Sequence, residues 1–227
     1  MKKIIITILV ILVAIAVIGG SLTAWAIGSH RRLNLTRFTA TSLSTQTQTL
    51  SQSPKRIRFD LRTAVVRIKP GRTNQLTLTN AGSNQYQTNQ TSTSWSLTEK
   101  QVNRHQFEIA QSPTITLTLT DPRAIQQLTI NQLNGTLKLT NLTTHDLSIH
   151  HHNGTTLAQD LTLTGAGKLT KNNGQTTIHH LTSNGLAVTI RNGQFKLNGH
   201  SAGRHYHQSG HHPLHITSGS GQVSVTQ

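Results

Sequence analysis

The sequence predicts an all-β fold: a β-solenoid, or β-helix-like, domain with rungs of about 19–20 residues, preceded by one N-terminal transmembrane helix. Three observations predict it. Asn134-Gly135, Asn153-Gly154, Asn173-Gly174 and Asn192-Gly193 return at steps of 19, 20 and 19 residues, and self-similarity at a fixed period of this size signals stacked repeats. Each pair sits in one apolar frame. Leu128 and Ile130, Leu147 and Ile149, Gly167 and Leu169, or Leu186 and Val188 precede it, and Leu139 and Leu142, Ala158 and Leu161, Ile178 and Leu181, then Leu197 follow. Apolar residues alternating about such a corner describe strand, turn and strand, and Asn and Gly suit the corner because both tolerate positive φ. The third observation is that Ile4 to Ile27 contains no charged residue.

That run follows Met1-Lys2-Lys3, and as a helix its 24 residues span roughly 36 Å, enough to cross a bilayer core with some tilt. Residues 1–28 are therefore read as a transmembrane anchor or signal segment. Ala24-Trp25-Ala26 offers a small-x-small cleavage site, and Trp25 equally suits an interfacial anchor. A retained anchor with the N-terminus cytoplasmic and the domain extracytoplasmic is the first expectation; secretion after cleavage is the alternative. Residues 29–56 are rich in Thr, Ser and Gln and read as a spacer, with a surface strand pairing onto the domain as the other possibility.

The domain proper is expected over 57–227. Ile57, Phe59 and Leu61 alternate with Arg58, Asp60 and Arg62, and Val66 and Ile68 lead into the turn Lys69-Pro70-Gly71-Arg72. Thr79 to Ser94 reads as a polar loop or weak hairpin, and Trp95 and Leu97 with Phe107 and Ile109 as a further strand pair. With Ile115, Leu117 and Leu119 these strands, 57–121, should form a distinct layer capping the stack. Regular repeats fill 122–199. The His-rich end, 200–227, departs from the pattern until Leu214, Ile216, Val223 and Val225 resume it as a final strand pair.

The chain has 227 residues, no Cys, 4% aromatics and 21 Lys and Arg against 6 acids, a net charge of +15. Without Cys there is no disulfide and no thiolate metal or redox site. A field this positive favours polyanionic partners: an anionic cell-wall polymer, an anionic lipid surface, or another envelope protein. Nucleic acid fits poorly, because stacking aromatics are scarce and the domain is expected to be exported.

The Ile115-Thr-Leu-Thr-Leu119 segment leading to Leu128-Thr-Ile130, the Asn-Gly corners, and the closing Leu214-His-Ile-Thr-Ser-Gly-Ser-Gly-Gln-Val223 together resemble a family of bacterial envelope proteins of unknown function described as candidate adhesins. The resemblance covers about Ile57 to Val225. It implies a β-solenoid-like domain behind a single membrane anchor, and adhesion or envelope-stress regulation as roles. The basic charge and the Thr, Gln and His richness depart from it.

Histidine carries the sharpest chemical signal. His150-His151-His152 is a run of three, and His200, His205, His207, His211, His212 and His215 crowd the C-terminal part. Neighbours on a strand point to opposite faces, so the run cannot close on one ion. His150, His152, His205, His207 and His211 are weak metal candidates, and no metal or other cofactor is expected. Seven residues after the corner Asn come Asn141, Asp160 and His180, which should stack on adjacent rungs, with Asp160 and His180 forming an ion pair when the imidazole is protonated. Catalysis is not expected: Asp60, Glu99, Glu108, Asp121, Asp146 and Asp160 are scattered, whereas a glycosidase needs two carboxylates across a cleft. Gly199-His200-Ser201-Ala202-Gly203 matches a nucleophile-elbow pattern, but no helical pattern or later acid follows it. The candidates for polyanion binding are Lys55, Arg56, Arg58, Arg62 and Arg204, and no small-molecule substrate is expected.

Overall fold

The computed structural model of the chain describes residues 2–100 and 107–227. Helix α1 (Lys2–Gly28) is long and apolar enough to cross a membrane and stands with its side chains exposed, Ala26 alone being buried. The strands that follow in chain order are β1 (Arg31–Asn34), β2 (Thr39–Thr49), β3 (Arg56–Pro70), β4 (Gln75–Gly82), β5 (Tyr86–Gln90), β6 (Ser94–Glu99), β7 (Glu108–Ile109) and β8 (Thr114–Leu119). They continue as β9 (Ile125–Leu163), β10 (Gly167–Asn173), β11 (Thr176–Thr182), β12 (Asn184–Leu197), β13 (His200–Gly203), β14 (His205–His212) and β15 (Leu214–Val225).

Parallel pairing between successive rungs builds the solenoid that the sequence predicts. β9 supplies two rungs, β10 and β11 one, and β12 and β15 one each. β3 is a further rung in the same register, with Thr63 and Ala64 opposite Asn134 and Gly135; it lacks only the corner pair that would have revealed it. β6 and β8 lie parallel to the two halves of β3 and make a split rung whose corner is replaced by a long excursion through β7. Trp95 and Leu97 do not pair with Phe107 and Ile109 as expected, since β6 pairs with β3 and β5 while β7 pairs with β1. The excursion joining them runs through 101–106, outside the described residues.

Two departures concern order along the stack. β15 is not a final layer: it is inserted between β10 and β12, with Leu214 opposite both Gly167 and Leu186. The terminal rung is β12, whose outer edge is covered by β13 and β14 folded back antiparallel. At the other end, β4 pairs with β8 and β2 pairs with β4, both antiparallel. Thr39–Thr49, expected first as spacer, is thus a strand of the sheet, extended by the hairpin with β1.

The corners use two left-handed positions, of which the sequence showed one. At the first, Gly135, Gly154, Gly174, Gly221 and Gly193 have φ between +108° and +147° and lie one over another. A Cβ on Gly154 would fall 1.9 Å from the carbonyl oxygen of Gly135. The Asn residues do not share the positive φ; they form an amide ladder instead, Asn153 Nδ2 donating to Asn134 Oδ1 (3.0 Å), Asn173 Nδ2 to Asn153 Oδ1 (2.8 Å) and Ser220 Oγ to Asn173 Oδ1 (2.6 Å). At the second corner Asn141, Asp160, His180 and Asn198 have φ of +49° to +54°, a conformation that Asn, Asp and His visit more readily than other side chains. Between the corners, Leu, Ile and Val from Leu50 to Val225 fill one continuous core, with Phe59 and Trp95 edge-to-face at 5.3 Å near the N-terminal end.

Candidate functional site

All six acids are engaged close to where they stand. Asp60 accepts from Arg58 Nε (2.7 Å) and Nη2 (3.1 Å) and from Asn131 Nδ2 (2.7 Å). Loss of water works against the Asp60 anion, but these hydrogen bonds outweigh it and hold its pKa below the ordinary carboxylate value. Asp121 caps the backbone N–H of Arg123 at 3.1 Å, Asp146 meets His145 at 3.1 Å, and Asp160 meets His180 at 2.9 Å, the stacked pair that the repeat spacing predicted. Glu99 and Glu108 meet in one pocket. The excess of cations is therefore displayed with little local compensation.

β3 sends Ile57 and Phe59 into the core and so turns Arg56 and Arg58 outward, both exposed, with Lys55 exposed beside them. Arg56, Arg58, Gln127 and Thr129 from the rungs and Asn89, Thr91 and Ser96 from the β5–β6 hairpin line a groove of 260 Å³. The Arg56 guanidinium and the amide groups are suited to anionic oxygen, which Arg binds bidentately, whereas the Arg58 guanidinium is already engaged by Asp60. Arg62 is not part of this face. Its guanidinium turns to Glu108 at 2.5 Å and its side chain is only 13% exposed, because Glu108 of β7 meets it on the outer face of β3. Arg204 lies at the far end of the sheet, donating to the Arg191 carbonyl at 3.2 Å, and does not join Lys55, Arg56 and Arg58.

The pocket at the missing corner was not legible as a site. Arg32, Arg62, Gln85, Glu99 and Glu108 line it, and Arg37, Asn84 and Lys100 border a contiguous cavity of 210 Å³. Arg62 N donates to Glu99 Oε2 (2.7 Å), Gln85 Nε2 to Glu99 Oε1 (3.1 Å), and Arg32 Nε approaches Glu108 at 4.0 Å. Burial, and Glu99 next to it, push the Tyr86 phenol above its ordinary pKa. The two glutamates, read as scattered from the sequence, are brought together by an excursion with no repeat signal. Arg62 and Arg32 neutralise Glu108, amide donors hold Glu99, and together they tie β1 and β7 to the solenoid.

Histidine divides by face. His150 and His152 are exposed while His151 points inward and is fully buried, as strand alternation requires. His205, His207 and His211 are exposed on β14. Among the described residues no three His, Asp or Glu side chains converge on a possible ion. Ser201 sits in the short antiparallel strand β13, paired with Lys196, with no helix after it.

The Toastrack DUF4097 profile matches residues 54–227, most of the chain. The chain belongs to that family. Among solved structures, a candidate cell adhesion protein from Clostridium sporogenes aligns with a TM-score of 0.61 at 11% identity, covering 82% of this chain and all of that one. A candidate adhesin from Bacteroides fragilis aligns at 10% identity with a TM-score of 0.37, over 82% of this chain and 97% of that one. A candidate lipid-binding protein from Parabacteroides distasonis gives 10% and 0.34, over 81% and 94%. No curated protein matches. The first alignment supports the Toastrack fold as a β-solenoid; at such low identity it carries fold alone.

Proposed function

We propose that this Toastrack chain is a single-pass, membrane-anchored extracytoplasmic module, N-terminus cytoplasmic, that binds anionic polymer of the cell envelope through its basic outer face, in the manner of an adhesin. The observation that carries this reading is the distribution of charge: the acids are held by local partners, Arg58 among them, while Lys55 and Arg56 stand exposed beside one another, Arg56 lining an open groove. The apolar α1, without charge from Ile4 to Ile27, supports the anchor, and the adhesion named for the Clostridium sporogenes neighbour agrees with a surface role. The reading assigns no catalysis and no cofactor. A regulatory role on a membrane partner is the second reading, favoured by the Arg32–Glu108–Arg62 cluster that ties the membrane-proximal hairpin to the domain.

The test is to hold the full chain in neutral-lipid nanodiscs and titrate inorganic polyphosphate across salt. Binding is expected to weaken about tenfold or more as salt is raised severalfold, as screened charge pairing requires, and Lys55→Gln with Arg56→Gln should weaken it at low salt. Binding that ignores salt, or none at low salt, rejects the proposal.

A further inference from the structure

Outside α1, three large apolar side chains among the described residues are exposed: Leu35 at 42%, Phe38 at 94% and Phe107 at 79%. They stand on one unit. Leu35 N donates to the Phe107 carbonyl at 2.8 Å, and Phe107 N donates to Thr36 Oγ1 at 3.0 Å, so the tip of the β1–β2 hairpin and the strand entering β7 are joined. Phe38 has φ of +51°, a conformation that is strained for a bulky side chain and cheaper for Gly or Asn. A strained backbone that places an aromatic ring in solvent is not explained by packing within the chain. The exposed cations of the hairpin are Arg31 and Arg37, and the Arg37 N–H is held by Asn34 Oδ1 at 3.0 Å.

The tip lies near the helix end, since both β1 and β7 touch α1. Residues 29–34 join them, and six residues reach at most about 21 Å. The last turn of α1 also packs against the domain, burying Ala26 completely. Aromatic and aliphatic side chains flanked by Arg, beside a membrane-crossing segment, match the composition of interfacial anchors. We propose that this tip is a second membrane contact: Leu35, Phe38 and Phe107 enter the boundary between headgroups and acyl chains, and Arg31 and Arg37 engage anionic phospholipid headgroups. The inference rests on α1 being a retained anchor. Its consequence is orientation. The same hairpin is bound to the solenoid through Glu108, which takes Arg32 and Asn34 of the hairpin and Arg62 of β3, so two contacts with the bilayer fix the tilt at which the basic face is presented.

The chain has no Cys, so a single introduced thiol can be spin-labelled uniquely. The full chain would be reconstituted in vesicles of phosphatidylcholine and phosphatidylglycerol with labels at Phe38→Cys, at Thr39→Cys beside the tip, and at Ser201→Cys at the far end. The expected result is strong oxygen and weak nickel-chelate accessibility at positions 38 and 39, and the reverse at 201. Phe38→Asn suits the left-handed φ and should leave the hairpin at least as well folded, yet it should return the label at 39 to water. If labels at 38 and 39 are as water-exposed as the label at 201 while the chain resists an alkaline carbonate wash, the second contact is rejected and the anchor stands. Release by the wash rejects the anchor and the second contact with it. Spin–spin broadening at 38 without lipid contact would show the tip meeting a second copy, which also overturns the proposal.

Discussion

At the scale of single residues the solenoid interior holds polar groups where the repeat would place aliphatics. Gln132, His151, Lys171 and Ser218 occupy one inward column, two residues before the corner, and all are buried. Gln132 Nε2 donates to the Ala64 and Asn134 carbonyls at 2.7 and 2.9 Å, Lys171 Nζ to the Gln175 carbonyl at 2.9 Å, and Ser218 Oγ to the Ser220 carbonyl at 3.3 Å. They satisfy corner carbonyls that the ladder cannot pair, which a buried backbone demands. His151 shares a 2.8 Å hydrogen bond with Thr156 Oγ1, and burial, then the Lys171 charge, lower its pKa to about 4 from 6.5. Between those values the unfolded chain takes up a proton that the folded chain refuses, so stability falls as pH drops through this window, by up to about 3 kcal/mol. His151→Gln, the residue its column already carries at 132, should flatten that loss in urea unfolding measured from pH 7 to 4. An undiminished loss would show that His151 is not its source. Burial likewise lowers Lys171 to about 8 from 10.5. Here the folded chain gives up its proton first, so stability should rise between pH 8 and 10.5, and Lys171→Met should remove the rise. A rise of equal size in the variant would assign it elsewhere.

At the scale of the element, the glycine ladder and the inserted strand make separate predictions. Gly154→Ala places a methyl against the Gly135 carbonyl in a φ of +121°, and should cost several kcal/mol, on the order of the largest single-site losses. Gly199→Ala meets nothing within 4 Å and should cost only about 1 kcal/mol for its positive φ. Equal losses in thermal melts would mean that conformation, not close stacking, sets the cost. Ile216 is buried with Leu169 on one side and Val188 on the other, so Ile216→Ala, at about 2–5 kcal/mol, should loosen β10 and β12 together in hydrogen exchange. Chain-order stacking would put β15 against β12 alone and leave β10 protected.

These elements also mark what was legible. The Asn-Gly period revealed four rungs and the Asp160–His180 stack, because alternation and register follow from period alone. It could not reveal β3 as a rung, since Thr63-Ala64 forms the corner without the pair. Nor could it place β15, because any rung with matching alternation fits beside any other and only the return path through β13 and β14 decides. The candidate site was legible where alternation governs, at Arg56 and Arg58, and illegible at Arg62, whose partner Glu108 lies 46 residues away beyond an excursion with no pattern.

At the scale of the whole molecule, acidification acts on the inside and the outside in opposite directions. The surface carries nearly all of the positive excess, and most of its 14 His are exposed, as at 150, 152, 205, 207 and 211. Histidine as a residue type gains a proton on mild acidification, so a chain with 14 of them should become more positive as pH falls and bind polyanion more strongly. The interior responds through His151, which resists protonation and makes the fold less stable over much the same range. A chain at pH 5 is therefore expected to bind polyphosphate more tightly than at pH 7.5 while unfolding at a lower urea concentration. His151→Gln separates the two effects, since it changes a buried group and leaves the outer face intact: the gain in affinity should persist and the loss of stability should shrink. Affinity that does not change between the two pH values would remove histidine from the binding surface. Affinity gain lost together with the stability change would show that the buried imidazole, rather than the outer face, governs both.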